Sequence, residues 1–563
     1  MRVKDNKIYR SIMFERHDEK NSQALNVTPN DEIHQNNNHI PKIVTKPETR
    51  NNNDIKPSLK FRRALPQILA TCAKNLLLLT YGMTLGVSTI AIPALEDPNS
   101  SSKNGSHGYH QRDGILTLNE TQISWFSSIH LICVPFGCFV SGLITQPLGR
   151  KKSMMLLNIP FFTVWLLLYN ATSVTTLYIA LVISGLSGGL HEAPVLTYLA
   201  EITQPSLRGM LGATAPTTVI IGTVSQLILG KFYHWRSVVL FNMFFPIIAF
   251  IALSFVPESP HWLIAKGRLE EAEKALCWLR GWVGPEMVKE EFSLLKKVIQ
   301  SKSSRSRMSF MDKFKWYKRR TFIIPHFLLI VTFFVGHFGG MMSVQTNAVK
   351  LFTLLKSPID EYTCTLILGI TEFAGAVICV ILVRWTGKRL LLIWTTAGCS
   401  ISLLVVSLYA YVTSISTFTF DSSFSYIPLV FVNINAFLIH AGIRLLPWVL
   451  VGELYPTEIR ATASGATAFW FYVFAFSANK SYQWMLSTLK VFGLLGLYGT
   501  VIGIGSVFFF FFLPETEGHT LHEIERHFAE EGNIFKTSID SNHELGVTAN
   551  DQKRMKEDIE SYL

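Results

Sequence analysis

The chain has 563 residues, of which 49% are hydrophobic and 16% are charged, and its formal net charge at pH 7 is +11. Soluble domains carry about 25% charged residues. This shortage of charge is untypical of a soluble protein, and the basic residues lie in short loops at alternate span ends instead of indicating nucleic-acid binding.

Polar and apolar residues are segregated along the chain. Residues 1–63 are polar and rich in Asn, and 265–320 and 515–563 are also charged. Between them lie twelve apolar runs, spans 1 to 12, at 68–92, 122–146, 153–170, 174–200, 210–230, 237–256, 322–345, 363–383, 390–412, 426–451, 462–486 and 491–513. About 18 apolar residues cross the ~30 Å hydrocarbon core of a bilayer as a helix. The runs predict an all-α membrane protein with twelve transmembrane helices.

The basic residues indicate how the spans are oriented. They lie in alternate loops, at Arg150 to Lys152, Arg208, Arg384 with Lys388 and Arg389, and Arg460. The positive-inside rule makes that side cytoplasmic, together with both termini. The loop 95–121 then faces outside, and it carries Asn-x-Ser/Thr sequons at Asn99, Asn104 and Asn119. Topology and sequons agree, so we expect glycosylation of at least one of the three.

Three loop signatures occur twice, in the same order. GRKK at 149–152 is echoed by GKR at 387–389, AEITQPSLRG at 200–209 by GELYPTEIRA at 452–461, and PESPHWLI at 257–264 by PETEGHTL at 514–521. Each follows span 2, 4 or 6 of its half. The chain is therefore an internal duplication of six spans, and such halves usually rock about a central site.

The duplication defines five predicted segments. These are a disordered cytoplasmic tail (1–63), an N-terminal six-helix bundle (64–256), a cytoplasmic helical linker (257–320), a C-terminal six-helix bundle (321–513) and a cytoplasmic C-terminal tail (514–563). Apolar residues at helical spacing in KGRLEEAEKALCWLRG predict an amphipathic linker helix. It is either a plain connection or a latch across the gate.

Charged residues in the duplicated loops predict a cytoplasmic gate. Arg–carboxylate pairs are directional, and pairs that form across the two halves would close the inner side. The predicted gate residues are Arg150, Glu201, Arg208, Glu258, Arg389, Glu453, Arg460 and Glu515. The alternative is that they are ordinary solvated topology signals.

The combined motifs resemble the sugar porter branch of the major facilitator superfamily. The resemblance rests on Ser124-Trp125, GRKK, YLAEITQPSLRG, PESPHWLIAKGRLEEAEKAL, GELYPTEIRATASG and PETEGHTLHEIE, and covers about residues 66–528. In detail the chain is most similar to the insect facilitated trehalose transporter type. The resemblance implies two six-helix bundles with pseudo-two-fold symmetry around a central sugar site.

The expected sugar site departs from the family pattern. In span 7 the family has QQxSGxN, and this chain has GHFGGMM at 336–342, so that the glutamines become Gly336 and His337 and the asparagine becomes Met342. The expected stacking residues Trp448 and Trp470 remain. The family's acidic residue of span 1 and arginine of span 4, which couple transport to protons, are also missing, and this favours facilitated transport.

Ionisable residues lie within the spans instead. A charge at mid-depth costs at least about 2.5–3.5 kcal/mol when it faces lipid, so it usually faces a cavity or a partner. Arg444 follows His440 by four residues in span 10, which places both on one helical face, and Glu372 is central in span 8. We therefore expect a Glu372–Arg444 pair, which is structural, contacts the solute or binds a proton. Lys74 lies nearer the end of span 1 and is expected to snorkel.

The sequence thus predicts a set of solute-binding residues and leaves the substrate open. The residues are Gln226, His337, Gln345, Glu372, His440, Arg444, Trp448 and Trp470. We expect facilitated transport of a trehalose- or hexose-like sugar at the plasma membrane by a monomer. The alternatives are a transporter of another polar or charged solute, possibly proton-coupled, and a nutrient sensor that does not transport. The sequence indicates no cofactor, no metal cluster, no enzyme motif and no nucleic-acid partner.

Overall fold

The computed structural model describes residues 57–96, 113–304, 317–415, 422–456, 459–519 and 521–529. Most of the two predicted tails, and the sequons at Asn99 and Asn104, lie outside these ranges. The helices of the N-terminal half are Pro57–Leu95, Glu120–Leu148, Arg150–Tyr169, Val174–Leu190, Glu192–Ile202, Pro205–Phe232, Trp235–Asn242 and Phe244–Ser254. The linker contains the helices Pro260–Ala265, Leu269–Leu279 and Lys289–Ser304.

The C-terminal half repeats the pattern of the first. Its helices are Arg320–Phe338, Ser343–Thr346, Ala348–Leu354, Glu361–Thr386, Lys388–Ile415, Ile427–Ala441, Leu446–Leu454 and Arg460–Phe512, followed by Leu521–Ala529. An isolated bridge joins Glu96 to Leu118, on either side of the gap between spans 1 and 2. The all-α membrane fold is confirmed, whereas the five segment boundaries remain predictions.

Eleven helical segments of the described chain are long and apolar enough to cross a membrane. The last of them contains 51 residues, from Thr462 to Phe512. At 1.5 Å per residue such a segment is more than twice as long as a bilayer core of ~30 Å. Lys490 interrupts it with a φ of 57° and a ψ of −179°. The segment therefore comprises spans 11 and 12, in agreement with the twelve predicted spans.

Spans 7 and 10 are each broken near the middle of the molecule. In span 7 the helix ends at Phe338 and resumes at Ser343, and in span 10 it ends at Ala441 and resumes at Leu446. Gly340 has a φ of +85°, a conformation that costs a residue with a Cβ atom more than it costs glycine. The breaks leave backbone groups outside the helical ladder, which a membrane protein tolerates only where protein or a cavity surrounds them.

Spans 2 and 4 pack through small residues. A Cβ atom on Gly137 would lie 2.2 Å from the backbone oxygen of Leu186, and one on Gly189 would lie 2.1 Å from that of Val134. Both distances are far below van der Waals contact, so the two backbones approach as closely as glycine allows. Gly142 lies in the same helix as Gly137, but a Cβ atom there would meet nothing within 4 Å.

The substitution Gly137→Leu is expected to separate spans 2 and 4, whereas Gly142→Leu is the matched control. Overpacking costs about 1–3 kcal/mol, and contact with rigid backbone places Gly137→Leu at or above the upper end. We expect this variant to lose most of its surface abundance and its sharp melting transition in detergent. Equal surface abundance and melting of the two variants would contradict the packing described here.

Candidate functional site

The spans end at two opposite faces of the molecule. The face at which residues 113–119 lead into span 2 and residues 355–360 lead into span 8 is called the loop face. We call the linker face the one that carries the helices between 260 and 304 and the helix Leu521–Ala529. The predicted topology would make the linker face cytoplasmic.

A cavity lies between the two halves. Its lining residues are Leu85, Thr89, His130 and Thr223 from the N-terminal half and Met342, Gln345, Thr346, Arg444 and Asn479 from the C-terminal half. Gln345 and Thr346 follow the break in span 7, and Arg444 lies within the break in span 10. The two breaks therefore bring polar groups to the boundary between the halves, as they do in transporters that bind solutes at discontinuous helices.

The local backbone of Arg444 differs from the prediction. The expected i,i+4 arrangement with His440 requires a continuous helix, but Arg444 lies in a turn, and its backbone N–H donates to the Ile439 oxygen at 2.9 Å. His440 is 1% exposed, and its Nδ1 lies 3.0 Å from the oxygen of Ala436. His440 therefore contacts its own helix, whereas Arg444 lines the cavity.

Glu372 has a different partner from the one predicted. The carboxylate is 2% exposed, and Gln345 Nε2 donates to its Oε2 at 2.5 Å. Among the described residues, no nitrogen of Arg444 lies within the 4.0 Å of a Glu372 oxygen that defines an ion pair, although the two charges interact electrostatically. A direct Glu372–Arg444 pair is thus not formed in this conformation, because Gln345 holds the carboxylate.

The other predicted binding residues are not among those that line the cavity. Gln226 is fully buried, and it exchanges amide hydrogen bonds of 3.2 and 2.7 Å with Asn242, so it joins spans 5 and 6. His337 is fully buried against Phe471, with ring centroids 4.5 Å apart. Trp448 packs at 5.0 Å from Phe471, and Trp470 is stacked on Phe474 at 5.7 Å. Both tryptophans are 38% exposed, so part of each ring faces away from the protein core.

Sequence reasoning missed two polar residues within the spans and placed a third wrongly. His130 in span 2 and Asn479 in span 11 line the cavity and are 5% and 1% exposed. Lys74 was expected to snorkel, but it is fully buried, and its Nζ has no hydrogen-bond partner. The available signal for His130 and Asn479 was a polar residue in an apolar run, but neither is fully charged and neither belongs to the family pattern.

Each half carries a cluster of carboxylates and basic groups at the linker face. In the N-terminal half, Glu258 Oε1 accepts from the backbone N–H groups of Arg150 and Lys151 at 3.0 and 2.9 Å. In the C-terminal half, the two Glu515 oxygens accept from those of Lys388 and Arg389 at 3.0 and 3.1 Å. A carboxylate at a helix N-terminus is stabilised by free N–H groups and by the helix dipole.

The duplicated glycines make this arrangement possible. Gly149 and Gly387 have φ values of +96° and +77°. A Cβ atom on either would lie within 2.5 Å of an oxygen of Glu258 or Glu515 respectively. The repeated Gly–basic and Pro-Glu signatures are thus two parts of one contact, which caps spans 3 and 9.

The predicted gate residues find partners within their own half. Arg150 pairs with Glu201 at 2.9 Å, and Glu453 lies 3.0 Å from Lys388. Arg208 and Arg460 donate to the backbone oxygens of Thr203 and Tyr455, and Arg389 donates to that of Phe510. The prediction that these groups pair across the two halves is not met in this conformation, since the contacts given above all lie within one half.

The comparisons with known proteins agree with this architecture. The family model described as "Sugar (and other) transporter" matches residues 75–528. The chain belongs to this family of transporters. It is 26% identical over 477 residues to the facilitated trehalose transporter Tret1 of Apis mellifera ligustica, covering 84% of this chain and 90% of that protein. It is 27% identical over 426 residues to the Tret1 of Bombyx mori, covering 75% and 83%.

Solved structures share the major facilitator fold. The inward open conformation of the xylose transporter XylE from E. coli superposes with a TM-score of 0.64 at 18% identity, covering 82% of this chain and 99% of XylE. The proton:xylose symporter XylE bound to 6-bromo-6-deoxy-D-glucose gives a TM-score of 0.59 at 19% identity, covering 83% and 100%. The twelve-span fold and the sugar porter resemblance predicted from the sequence are both confirmed.

Contacts at the loop face join the two halves of the transporter. Lys350 Nζ lies 2.6 Å from Glu96 Oε1, and the two side chains are only 15% and 14% exposed. Nearby, Ser124 donates to the backbone oxygen of Lys480 at 2.7 Å, and the Lys480 ammonium lies 3.9 Å from the centroid of the Trp125 ring. These contacts hold the halves together on the loop-face side of the cavity.

Replacement of Glu258 is expected to destabilise the transporter, by more with alanine than with glutamine. Glu258→Gln keeps one hydrogen-bond acceptor and loses the charge, at a cost of about 1 kcal/mol of stability. Glu258→Ala leaves the N–H groups at the start of span 3 without an acceptor and costs about 3 kcal/mol. The check is thermal unfolding in detergent. Glu290→Ala, an exposed linker position, is the control, and a melting temperature for Glu258→Ala equal to that of the control would contradict the capping role.

Lys350→Met is expected to shift the transporter towards a conformation that is open at the loop face. Loss of a largely buried ion pair worth about 1 kcal/mol changes a two-state ratio about fivefold. Spin labels at Lys152→Cys and Leu390→Cys, with the seven native cysteines replaced, would report the distance between the halves at the linker face. We expect the population with the shorter distance between the two labels to increase. The control is Lys231→Met, because the Lys231 ammonium lies over the Phe232 ring, and it should leave the distribution unchanged. An unchanged distribution in Lys350→Met would refute the role of the Glu96–Lys350 ion pair in holding the loop face closed.

Proposed function

We propose that the protein carries a trehalose- or hexose-like sugar across the plasma membrane by facilitated diffusion and alternating access. The observation that carries the proposal is the cavity between the halves, which side chains of both halves line. A site shared by two halves changes its accessibility when the halves rock. The family and the trehalose transporter relatives support the sugar as the solute.

The chemistry of the cavity suits a hydroxylated solute. Amide, imidazole, hydroxyl and guanidinium groups of Asn479, His130, Thr89, Thr223 and Arg444 surround it. Sugars are bound by several such polar groups together with an aromatic face. Trp448 and Trp470 retain exposed ring surface, but they are not among the residues that line this cavity.

A second candidate is proton-coupled transport of a sugar or another polar solute. The specific observation in its favour is Glu372, a carboxylate that is 2% exposed within span 8 and hydrogen-bonded to Gln345 at the cavity. Ionisable groups inside a membrane commonly take part in proton relays. In this candidate, Glu372 binds the proton and Gln345 connects it to the solute.

The remaining assignments complete the proposal. Both termini and the linker face are cytoplasmic, the linker-face clusters act as the inner gate, and the protein functions as a monomer. Asn119 is exposed at the start of span 2 and is a candidate glycosylation site. Its Oδ1 also accepts from the backbone N–H of Gln122 at 2.8 Å, so that the sequon coincides with a helix cap.

The test is an initial-rate uptake panel in cells that lack their own sugar uptake. Radiolabelled trehalose, glucose, fructose, a polyol, one organic anion and one organic cation are compared with vector controls. We expect saturable uptake of at least one sugar, about tenfold above the vector, which a protonophore leaves unchanged. Uptake that collapses with the protonophore selects the second candidate. Surface expression without uptake of any sugar would disprove the proposed function.

A further inference from the structure

Three polar side chains at the cavity have buried atoms without partners. Both ring nitrogens of His130, both amide atoms of Asn479 and Nη1 of Arg444 make no hydrogen bond. All three residues line the same cavity. Polar groups that are buried without a partner are costly, so a cluster of them around one space indicates that something else satisfies them.

The three residues come from both halves and from different spans. His130 lies in span 2, Arg444 in the break of span 10 and Asn479 in span 11. Asn479 lies nine residues beyond Trp470, or about 13 Å along the helix towards the loop face. Met342, which stands where the resemblance places an asparagine of the sugar site, lines the same cavity. The amide that span 7 lacks is therefore present on span 11.

The hydrogen-bonding capacity of the cavity is mixed. Asn479 offers two donors and an acceptor, a neutral His130 offers one of each, and Arg444 offers donors only. The hydroxyls of Thr89 and Thr223 already donate to the backbone oxygens of Gln345 and Gly82, so they can accept from a ligand. Side chains that both donate and accept hydrogen bonds match hydroxyl groups, which also donate and accept them.

The charges around the cavity favour a neutral ligand. Arg444 is the charged residue among the lining side chains, and Glu372, which Gln345 holds, interacts with it electrostatically. A cationic solute would face Arg444, and an anionic one would bring a second acidic group close to the buried Glu372.

We propose that His130 and Asn479 are hydroxyl-binding residues of the solute site and that, with Arg444, they select an uncharged polyhydroxyl solute. The assignment rests on the proposed function and adds to it two contacts, one from each half. Since the cavity lies between the halves, rocking would move the two residues relative to each other. Both halves thus contribute residues to the proposed solute site.

The experiment measures the concentration dependence of sugar uptake. Asn479→Leu and His130→Phe remove the hydrogen bonds and keep the approximate volume, and we expect each to raise KM at least about tenfold at matched surface abundance. Asn158→Leu is the control, since Asn158 is buried in span 3 and donates to the oxygen of Met154. Its KM should stay within twofold of the wild type. If Asn479→Leu or His130→Phe fails to reach the cell surface, Asn479→Ala or His130→Gln is measured in its place.

A competition assay tests the charge selectivity. The transported hexose, its uronic acid and its amino sugar are compared as inhibitors of uptake, and we expect the two charged forms to be at least about tenfold weaker. Equal inhibition by a charged form, or unchanged KM in both the Asn479 and the His130 variants, would overturn this assignment while wild-type uptake stands. Absence of sugar uptake by the wild type would instead overturn the proposed function, and with it this assignment.

Discussion

The structure depends on one constraint, which is that every backbone N–H and C=O group inside a bilayer needs a partner within the protein. Continuous helices meet it in most of the spans. Where spans 7 and 10 are broken, the freed groups must be enclosed by protein or by the cavity, so the breaks can occur only towards the interior. The position of the candidate site follows from this requirement, because the places where the helices may be interrupted are also the places where a solute can be reached.

The placement of charged groups follows a similar requirement for partners within the protein. Carboxylates and basic groups at the linker face pair within each half and cap the helices that follow Gly149 and Gly387. Inside the membrane, Glu372 is held by an amide and lies near Arg444 without touching it. Charges at the water boundary therefore form close pairs, whereas those near the cavity keep part of their hydrogen-bonding capacity free.

The fold could be predicted from the sequence because its signals are long and repeated. Apolar runs of about 18 residues or more and three duplicated loop signatures determine the number of spans and the two halves. The site could be predicted only in part. An i,i+4 argument for His440 and Arg444 assumed an unbroken helix, although Gly442 lies between them, and the Gly339-Gly340 pair in span 7 was a similar signal. His130 and Asn479 are uncharged or weakly basic, and what distinguishes them is that their unpartnered atoms belong to residues that line the cavity.

Which of several chemically possible contacts forms also depends on packing that a sequence does not contain. Gln226 was a reasonable candidate for a sugar amide, but Asn242, sixteen residues later, satisfies both ends of it. Gln345 could have bound a solute directly, and instead it lies between the cavity and Glu372.

The ion pair between Glu96 and Lys350 has a consequence for the kinetics of a carrier that works downhill. A pair that exists in one conformation lowers the free energy of that conformation alone, but it cannot change the final ratio of solute on the two sides of the membrane. The ratio Vmax/KM must then be equal for influx and efflux, so any bias that this pair creates appears as unequal KM values balanced by unequal maximal rates. A single side-chain contact at one face would thereby determine on which side the transporter saturates first.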